Sequence, residues 1–145
     1  MALLEKQLEV KESNIPGAGK GLFTTKFIPK GTRITEYKGR VRTWEEAQWD
    51  DTNLYIFYVN DDYVIDANRR KKTVARYIND AKGLQKIKGL YNNAQFVKDD
   101  LRVFVEATKD IAAGSEIFVD YGKEYWQVIR KNLKLEAKAN AKSHP

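Results

Sequence analysis

Cysteine is absent from this 145-residue sequence, which excludes disulfides and metal sites built on thiolates. Histidine occurs once, as His144, next to the end of a polar tail. Because structural zinc sites use cysteine and histidine ligands, a site of that kind is not expected. We therefore predict that the protein holds no metal.

Long apolar runs are also missing, since the longest run is only a few residues. A membrane-spanning helix needs about 20 predominantly apolar residues, which no segment supplies. The amino terminus, MALLEKQLEVKES, carries acids and bases where a signal peptide needs an apolar stretch. We therefore expect a soluble, intracellular protein.

The composition is nevertheless that of a folded chain, with 42% hydrophobic, 12% aromatic and 32% charged residues. Disordered chains are poor in aromatic residues, and membrane proteins carry fewer charges. A chain of this length is long enough for one hydrophobic core. We predict one domain over residues 1–136 and a disordered tail over residues 137–145.

Charge is distributed unevenly along the chain. Within a net charge of +6, residues 1–42 carry +5, residues 43–68 carry −7, residues 69–88 carry +7 and the remainder carries +1. The acidic block, defined here as residues 43–68, contains no lysine or arginine. It suits a lysine- or arginine-rich peptide as ligand, and a solvated acidic face is the alternative interpretation.

The secondary-structure pattern is mainly β. Segments rich in Val, Ile, Phe, Tyr and Thr alternate with Gly, Asn and Asp, as expected for short strands. The predicted strands are Gln7–Lys11, Gly21–Thr25, Arg33–Tyr37, Leu54–Val59, Tyr63–Asp66, Ala94–Lys98, Leu101–Glu106 and Glu116–Val119. Two hairpins are expected, one turning at residues 60–62 and the other at residues 99–100.

Helix is predicted in two places. Thr43 and Glu46 form a capping-box pattern ahead of a short helix that ends near Asp50. From Lys123 onward, apolar residues recur at helical spacing and predict an amphipathic carboxyl-terminal helix that packs on the sheet.

Five short motifs are candidates for chemistry, although each alone is more typical of ordinary turns and strand ends. They are Pro16–Phe23, Glu36–Gly39, Ile65–Ala67 with Ala75–Asp80, Asn92–Phe96, and Ile111–Gly122. The glycines of the first motif let a ligand approach backbone N–H and C=O groups closely. No helix follows that motif, so neither a P-loop nor a dinucleotide fingerprint fits.

Taken together and in this order, the motifs resemble the SET-domain family of protein-lysine methyltransferases over about Leu8 to Trp126. That family has a Gly-x-Gly turn, a Glu-Tyr-x-Gly strand, an Asp-Ala strand, an Arg-Phe-Ile-Asn-His segment, an Asn-Ala-x-Phe strand and a final segment that leads to Asp-Tyr-Gly. The resemblance implies a mainly β fold of several short sheets with a small inserted helix and a C-terminal helix. It also implies methylation of lysine side chains on a basic protein, with S-adenosylmethionine as methyl donor.

The resemblance alone assigns the roles of individual residues. Tyr121 would be the catalytic residue. The donor-binding residues would be Ala18, Gly19, Lys20, Gly21, Asn79, Asp80 and Trp126. The lysine channel would be lined by Tyr37, Tyr77 and Val119. Histones, histone-like proteins and ribosomal proteins are basic enough to be substrates, and neither a membrane nor a nucleic acid is required.

The sequence departs from the family pattern at several points. Asp80 stands where the family usually has histidine. Fourteen positions separate Asn79 from Asn93, whereas the compact family pattern has far fewer. Residues 82–88, which are basic, are therefore interpreted as an insertion. The cysteine-rich zinc segment that follows many such domains is absent, and the helix from Lys123 would have to close the site. Val119 stands where many members have an aromatic residue that narrows the channel, which leaves room for multiple methylation.

Two alternatives from other classes stay open. A pI of about 9.4 and the basic stretch Arg69–Lys88 suit a β module that binds nucleic acid, although the acidic block would repel phosphate. A SET-like module that binds peptide without transferring methyl groups would explain Asp80 and the insertion. Strongly salt-dependent nucleic-acid binding without donor binding would favour the first alternative.

Overall fold

A computed structural model describes residues 3–49, 55–68, 73–82 and 87–121. Strands dominate these ranges, together with one short α-helix, α1 (Trp44–Ala47), and two 3-10 turns at Glu5–Gln7 and Val74–Tyr77. The strands are β1 (Leu8–Glu12), β2 (Lys20–Thr24), β3 (Arg33–Glu36), β4 (Arg40–Arg42), β5 (Ile56–Asn60), β6 (Tyr63–Asp66), β7 (Ala94–Asp99), β8 (Arg102–Ala107) and β9 (Glu116–Ile117).

The strands form three small antiparallel sheets, as the mainly β prediction requires. Their strand orders are β1-β2-β9, β3-β8-β7 and β4-β6-β5. The two predicted hairpins are confirmed, since β5 pairs with β6 and β7 pairs with β8. Several short sheets thus share one hydrophobic core.

One hydrophobic core joins the three sheets. Its fully buried members come from β2, β3, β8 and β9 and from the loops between them: Leu22, Ile28, Ile34, Ile78, Val103, Val105, Ile111, Ile117 and Val119. Each such side chain contributes about 1.5–3 kcal/mol by leaving water. The alternation of apolar residues along the strands therefore fixes which face of each sheet turns inward.

Two isolated parallel bridges extend the chain beyond β9. Phe118 bridges to Asn79 and Val119 bridges to Ala94. The Val119 N–H donates to the Asn79 carbonyl at 3.0 Å, and the Ala94 N–H donates to the Phe118 carbonyl at 3.0 Å. The residues just before Tyr121 are thus fixed between the Asn79 segment and the start of β7.

Two strands differ from the sequence prediction. The predicted strand at residues 116–119 is regular only at Glu116–Ile117, because the next two residues form the parallel bridges instead. The sequence does not predict β4, because Arg40–Arg42 offers one apolar residue between two charges. It forms through pairing with β6, supported by an Arg42–Asp66 ion pair of 2.9 Å whose side chains are 13% and 12% exposed.

The predicted helix start at Thr43 is confirmed. The Thr43 hydroxyl accepts a hydrogen bond from the Glu46 backbone N–H at 3.3 Å, and α1 begins at Trp44. An N-cap side chain satisfies a backbone donor that has no partner within the helix.

We expect Thr43→Ala to lower the free energy of unfolding by about 1 kcal/mol, because the cap hydrogen bond is lost. Thr43→Ser keeps an acceptor oxygen at the same position and should retain most of the stability. Urea denaturation of the two variants and the parent measures the difference, and equal losses for both would contradict a capping role.

Several predicted features lie outside the described residues, namely the helix from Lys123, the tail at residues 137–145 and positions 83–86 of the basic insertion. Across the described ranges, no helix combines the length and the apolar character needed to cross a membrane.

Candidate active site

Four aromatic rings from four parts of the chain lie together, and we call them the aromatic cluster: Tyr37, Phe57, Phe96 and Tyr121. The ring centroids of Phe57 and Phe96 are 5.1 Å apart, and Tyr37 lies 6.0 Å from Phe57 and 5.9 Å from Phe96. Tyr121 stacks on Phe96 at 6.5 Å with an interplanar angle of 19°. These contacts join residues predicted for the channel and for catalysis in one place.

The strands position these rings through their alternation. Phe57 lies opposite Ile65 in the β5–β6 pair and turns toward Tyr37, whereas its neighbour Tyr58 turns to the other face and contacts Trp44 at 5.5 Å. Tyr37 follows β3, where its N–H donates to the Val103 carbonyl at 2.8 Å. Its hydroxyl donates to the Tyr55 carbonyl at 2.7 Å, which fixes the ring at both ends.

Tyr121 is held by its side chain and its backbone. Its hydroxyl donates to the Ile78 carbonyl, and its backbone N–H donates to the Asp80 carboxylate at 2.9 Å. A phenol oxygen that donates one hydrogen bond keeps acceptor capacity. The orientation of this hydroxyl is therefore set by the segment at residues 78–80.

Asp80 is a buried carboxylate, 5% exposed, that organises its surroundings. One oxygen accepts from the Asn92 amide at 3.0 Å and the Lys82 N–H at 2.8 Å, while the other accepts from Tyr121. Burial of a carboxylate is costly unless hydrogen bonds compensate it, as they do here. The donor-binding role assigned to Asp80 stays a prediction. Its observed contacts show in addition that Asp80 holds the Tyr121 backbone in place.

Asn79 contacts the glycine-rich turn close to the segment that holds Tyr121. The Asn79 amide nitrogen donates to the Lys20 carbonyl at 3.0 Å and lies 3.4 Å from a carboxylate oxygen of Glu116. Both neighbours are acceptors, so the amide orientation is determined by its partners. The structure thus brings two of the predicted donor-binding elements into contact.

The turn at residues 13–20 is shaped by its glycines and lies at the surface. Gly17 and Gly19 have φ of 77° and 76°, values that non-glycine residues adopt rarely, and open space surrounds the position of a Cβ at each. The Ser13 N–H donates to the Gly19 carbonyl at 2.8 Å, which closes the turn. Residues 16–20 are all exposed, including the predicted donor-binding residues Ala18, Gly19 and Lys20, whereas the fourth, Gly21, is buried in β2.

The remaining predicted site residues are Tyr77, Val119 and Trp126. Tyr77 ends the 3-10 turn at Val74–Tyr77, and its ring contacts the guanidinium of Arg76 at 5.3 Å. Val119 is fully buried in the core, two residues from Tyr121. Trp126 lies outside the described residues. The roles assigned to all three stay predictions.

Three residues in this region had no role assigned to them from the sequence, although Phe96 and Glu116 lie within two of the candidate motifs. Phe57 and Phe96 read as strand residues, and only the meeting of β5 with β7 reveals that they share a cluster with Tyr37 and Tyr121. Glu116 is 3% exposed and carries a charge inside an apolar strand. That pattern is the available signal, because a buried charge needs partners.

No metal site is found in the described parts of the chain, where no three histidine, cysteine, aspartate or glutamate side chains are close enough to share an ion. A cationic side chain, that of Lys98, lies at the edge of the aromatic cluster. Its ammonium nitrogen lies 5.9 Å from the Phe57 ring centroid.

Comparison with known proteins relates this chain to one family. A family model described as SET domain matches residues 19–122. The chain is 29% identical over 143 residues to N-lysine methyltransferase KMT5A of Xenopus tropicalis, covering 91% of this chain and 40% of that protein. It is 30% identical over 125 residues to histone-lysine N-methyltransferase EZA1 of Arabidopsis thaliana, covering 82% of this chain and 14% of that protein.

A solved structure gives the same picture of the fold. The methyltransferase domain of human PR domain-containing protein 2 superposes with a TM-score of 0.61 at 24% identity, covering 80% of this chain and 77% of that domain. The chain spans 40% or less of the two curated relatives described above.

Proposed function

Since the chain belongs to the SET domain family, we propose that it transfers a methyl group from S-adenosylmethionine to a lysine side chain of a basic protein. The observation that carries the proposal is the fixed position of Tyr121. Its hydroxyl is directed by the Ile78 carbonyl at one end of the aromatic cluster, and the next residue, Asn79, contacts the glycine-rich turn. A lysine channel and a donor site would therefore meet at this tyrosine.

The residues at the turn fit the methyl donor. Asn79 uses its amide nitrogen for Lys20 and Glu116, and no hydrogen bond from a described residue reaches its side-chain oxygen, which leaves an acceptor for an ammonium group. The exposed backbone of residues 16–20 supplies further polar groups. Ala18, Gly19, Lys20 and Asn79 would bind the methionine end of S-adenosylmethionine.

The reaction needs a neutral amine. A lysine with a pKa of about 10.4 is uncharged in about one molecule in a thousand near pH 7.4. When bound, S-adenosylmethionine supplies the methyl group from a positive sulfonium, whose charge also lowers the pKa of a nearby lysine. As the new N–C bond forms, the C–S bond breaks and its electron pair stays on sulfur, while the proton lost by the ammonium leaves to solvent.

This chain would supply geometry and desolvation for that step. The rings of Tyr37, Phe57 and Phe96 would exclude water from the lysine stem and still tolerate a methylated ammonium against their faces. The Tyr121 oxygen would accept a hydrogen bond from the amine and orient its lone pair. Alignment of this kind provides much of the acceleration in bimolecular transfer, so no dedicated general base is required.

The direct test is transfer of isotopically labelled S-adenosylmethionine to a panel of histones, histone-like proteins and ribosomal proteins, with mass spectrometry to locate the label. We expect methyl groups on lysine. Calorimetry with S-adenosylmethionine alone separates the remaining outcomes: donor binding without transfer would favour a catalytically inactive module. Salt-dependent nucleic-acid binding without donor binding would favour the nucleic-acid alternative.

The substrate class is proposed from the acidic block. Glu45 and Glu46 on α1 and Asp61 and Asp62 at the β5–β6 turn are all exposed. Trp44 and Tyr58, 40% and 46% exposed, lie among them with their rings in edge-to-face contact. Carboxylates and exposed aromatic faces both attract lysine and arginine, so a basic segment of the substrate would bind here.

We expect the double variant Glu45→Gln/Asp62→Asn to raise KM for a basic protein substrate about fivefold with kcat unchanged, since each exposed charge contact contributes up to about 1 kcal/mol. Glu9→Gln/Asp100→Asn, which makes the same change in net charge at exposed positions elsewhere, is the matched control and should leave KM within twofold. Steady-state kinetics at low and high salt measure both. Equal KM values for the two double variants would contradict a role of the acidic block in substrate binding.

A further inference from the structure

Glu116, the first residue of β9, is a buried carboxylate with an unusual set of partners. One carboxylate oxygen accepts from the Ser13 hydroxyl at 2.7 Å, and the other accepts from the Asn14 backbone N–H at 2.7 Å. The Asn79 amide nitrogen lies 3.4 Å from the first oxygen. The two ends of the Ser13 contact are 103 positions apart in the chain. A single side chain therefore links the glycine-rich turn to Asn79.

The surroundings of Glu116 are shaped for a carboxylate. A Cβ on Gly21 would lie 2.2 Å from a Glu116 carboxylate oxygen, so glycine at that position makes the space for it. The Glu116 backbone is fixed as well, because its carbonyl accepts from the Asn93 amide at 3.0 Å. No lysine or arginine of the described ranges forms an ion pair with it. Neutral hydrogen-bond donors alone compensate its charge there.

The contacts of Glu116 lie behind the proposed donor site. Ser13 and Asn14 begin the turn whose exposed residues 16–20 face solvent, and Asn79 completes the site from the other side. Without this link, the turn would be joined to Asn79 through the single hydrogen bond between the Lys20 carbonyl and the Asn79 amide. The hydrogen bonds of Glu116 to the turn and to Asn79 restrict their relative position more than the single Lys20–Asn79 hydrogen bond would.

We propose that Glu116 is a positioning residue for the methyl donor, which holds the turn at residues 13–20 and the Asn79 amide in the arrangement that binds S-adenosylmethionine. The inference rests on the proposed function. Glu116 does not itself need to touch the donor, and it acts through Ser13, Asn14 and Asn79. It should therefore control donor affinity more than the rate of the chemical step.

Glutamine at this position cannot replace the carboxylate, although it has the same shape. If its oxygen faces Asn14, its NH₂ faces the Asn79 NH₂, and two donors repel each other. If the amide is reversed, the Asn14 N–H loses its acceptor instead. A hydrogen bond to a charged group contributes more than a neutral one, so the link weakens in either orientation.

The experiment compares Glu116→Gln with the parent protein in calorimetry and in kinetics. We expect Kd and KM for S-adenosylmethionine to rise about tenfold, as the loss of one charged hydrogen bond allows, while kcat at saturating donor stays within threefold. Ser13→Ala, which removes one of the same hydrogen bonds from the turn side, should raise Kd about threefold. Glu106→Gln on β8 repeats the chemical change away from the turn and should leave Kd unchanged.

Thr43→Ala serves as a second control, because it lowers stability without touching the turn. If Glu116→Gln shifts the unfolding temperature as Thr43→Ala does but binds S-adenosylmethionine as tightly as the parent, Glu116 is only structural and the proposal is wrong. A fall in kcat with unchanged KM would also overturn it. Failure of the parent protein to bind S-adenosylmethionine would instead overturn the proposed function.

Discussion

Tyr121→Phe is expected to lower kcat for lysine methylation by about 10²- to 10³-fold, the range seen when one oriented hydrogen-bonding group is removed from an active site. The substitution removes the hydroxyl, which donates to the Ile78 carbonyl, and keeps the ring that stacks on Phe96. The amine would then lose its orientation at the end of the channel. Kd for S-adenosylmethionine should stay within twofold, because the Asn79 amide is held by Lys20 and Glu116, whose contacts the substitution keeps.

The control for that result is Tyr91→Phe. Tyr91 is 65% exposed and its ring contacts Lys109 rather than the aromatic cluster, so the same loss of a hydroxyl should leave kcat unchanged. Single-turnover rates and calorimetry on both variants separate chemistry from binding. Parallel losses of rate and donor affinity in Tyr121→Phe would contradict the assigned role, as would an unchanged kcat.

The strands could be predicted wherever apolar alternation lies between turn residues. β6, β7 and β8 follow the predicted bounds to within one residue, because Asn60–Asp62 and Asp99-Asp100 are strong turn signals. β4 could not be predicted, since its stability comes from pairing with β6 and from the Arg42–Asp66 ion pair. Both contacts depend on β6, which follows β4 only after α1 and β5, and a local pattern does not contain such distant partners.

The candidate site was predicted in parts. Linked motifs gave Tyr121, Asn79, Tyr37 and the glycine-rich turn, and the structure places Asn79 against Lys20 and Tyr37 in the cluster with Tyr121. Their roles stay predictions that the variants above test. The aromatic partners could not be read from the sequence, because the alternation of β5 alone does not say whether Phe57 or Tyr58 turns toward Tyr37.

Asp80 illustrates a change that the motif pattern could only mark as a departure. The family usually has histidine there, and the sequence gives no indication of what a carboxylate would contact. In the fold it accepts from the Lys82 N–H at the start of the insertion, from the Asn92 amide beyond its end, and from the Tyr121 backbone N–H. One carboxylate therefore links residues on both sides of the insertion to the tyrosine.

Gly39 shows how a backbone contact supports the same site. Its position follows Tyr37-Lys38, and a Cβ there would lie 2.3 Å from the Asp66 carbonyl oxygen and 2.7 Å from the Ala67 nitrogen. These are backbone atoms at the end of β6, which cannot move aside as a flexible side chain would. The Tyr55 carbonyl, which receives the Tyr37 hydroxyl, also accepts from the Ala67 N–H at 3.0 Å. The close approach of Gly39 to the end of β6 and the position of the Tyr37 hydroxyl therefore depend on the same backbone segment.

We expect Gly39→Ala to lower the free energy of unfolding by about 3 kcal/mol, at the upper end of the cost of overpacking, and the unfolding temperature by about 10 °C. Gly31→Ala is the matched control, with a φ of 87° and no atom within 4 Å of the new Cβ, so only backbone strain of about 1 kcal/mol is added there. Thermal and urea unfolding measure both. If Gly39→Ala were as stable as Gly31→Ala, the segment at residues 37–39 would have room to move. Tyr37 would then be held by its hydrogen bonds to Val103 and Tyr55 and not by the close approach of Gly39 to β6.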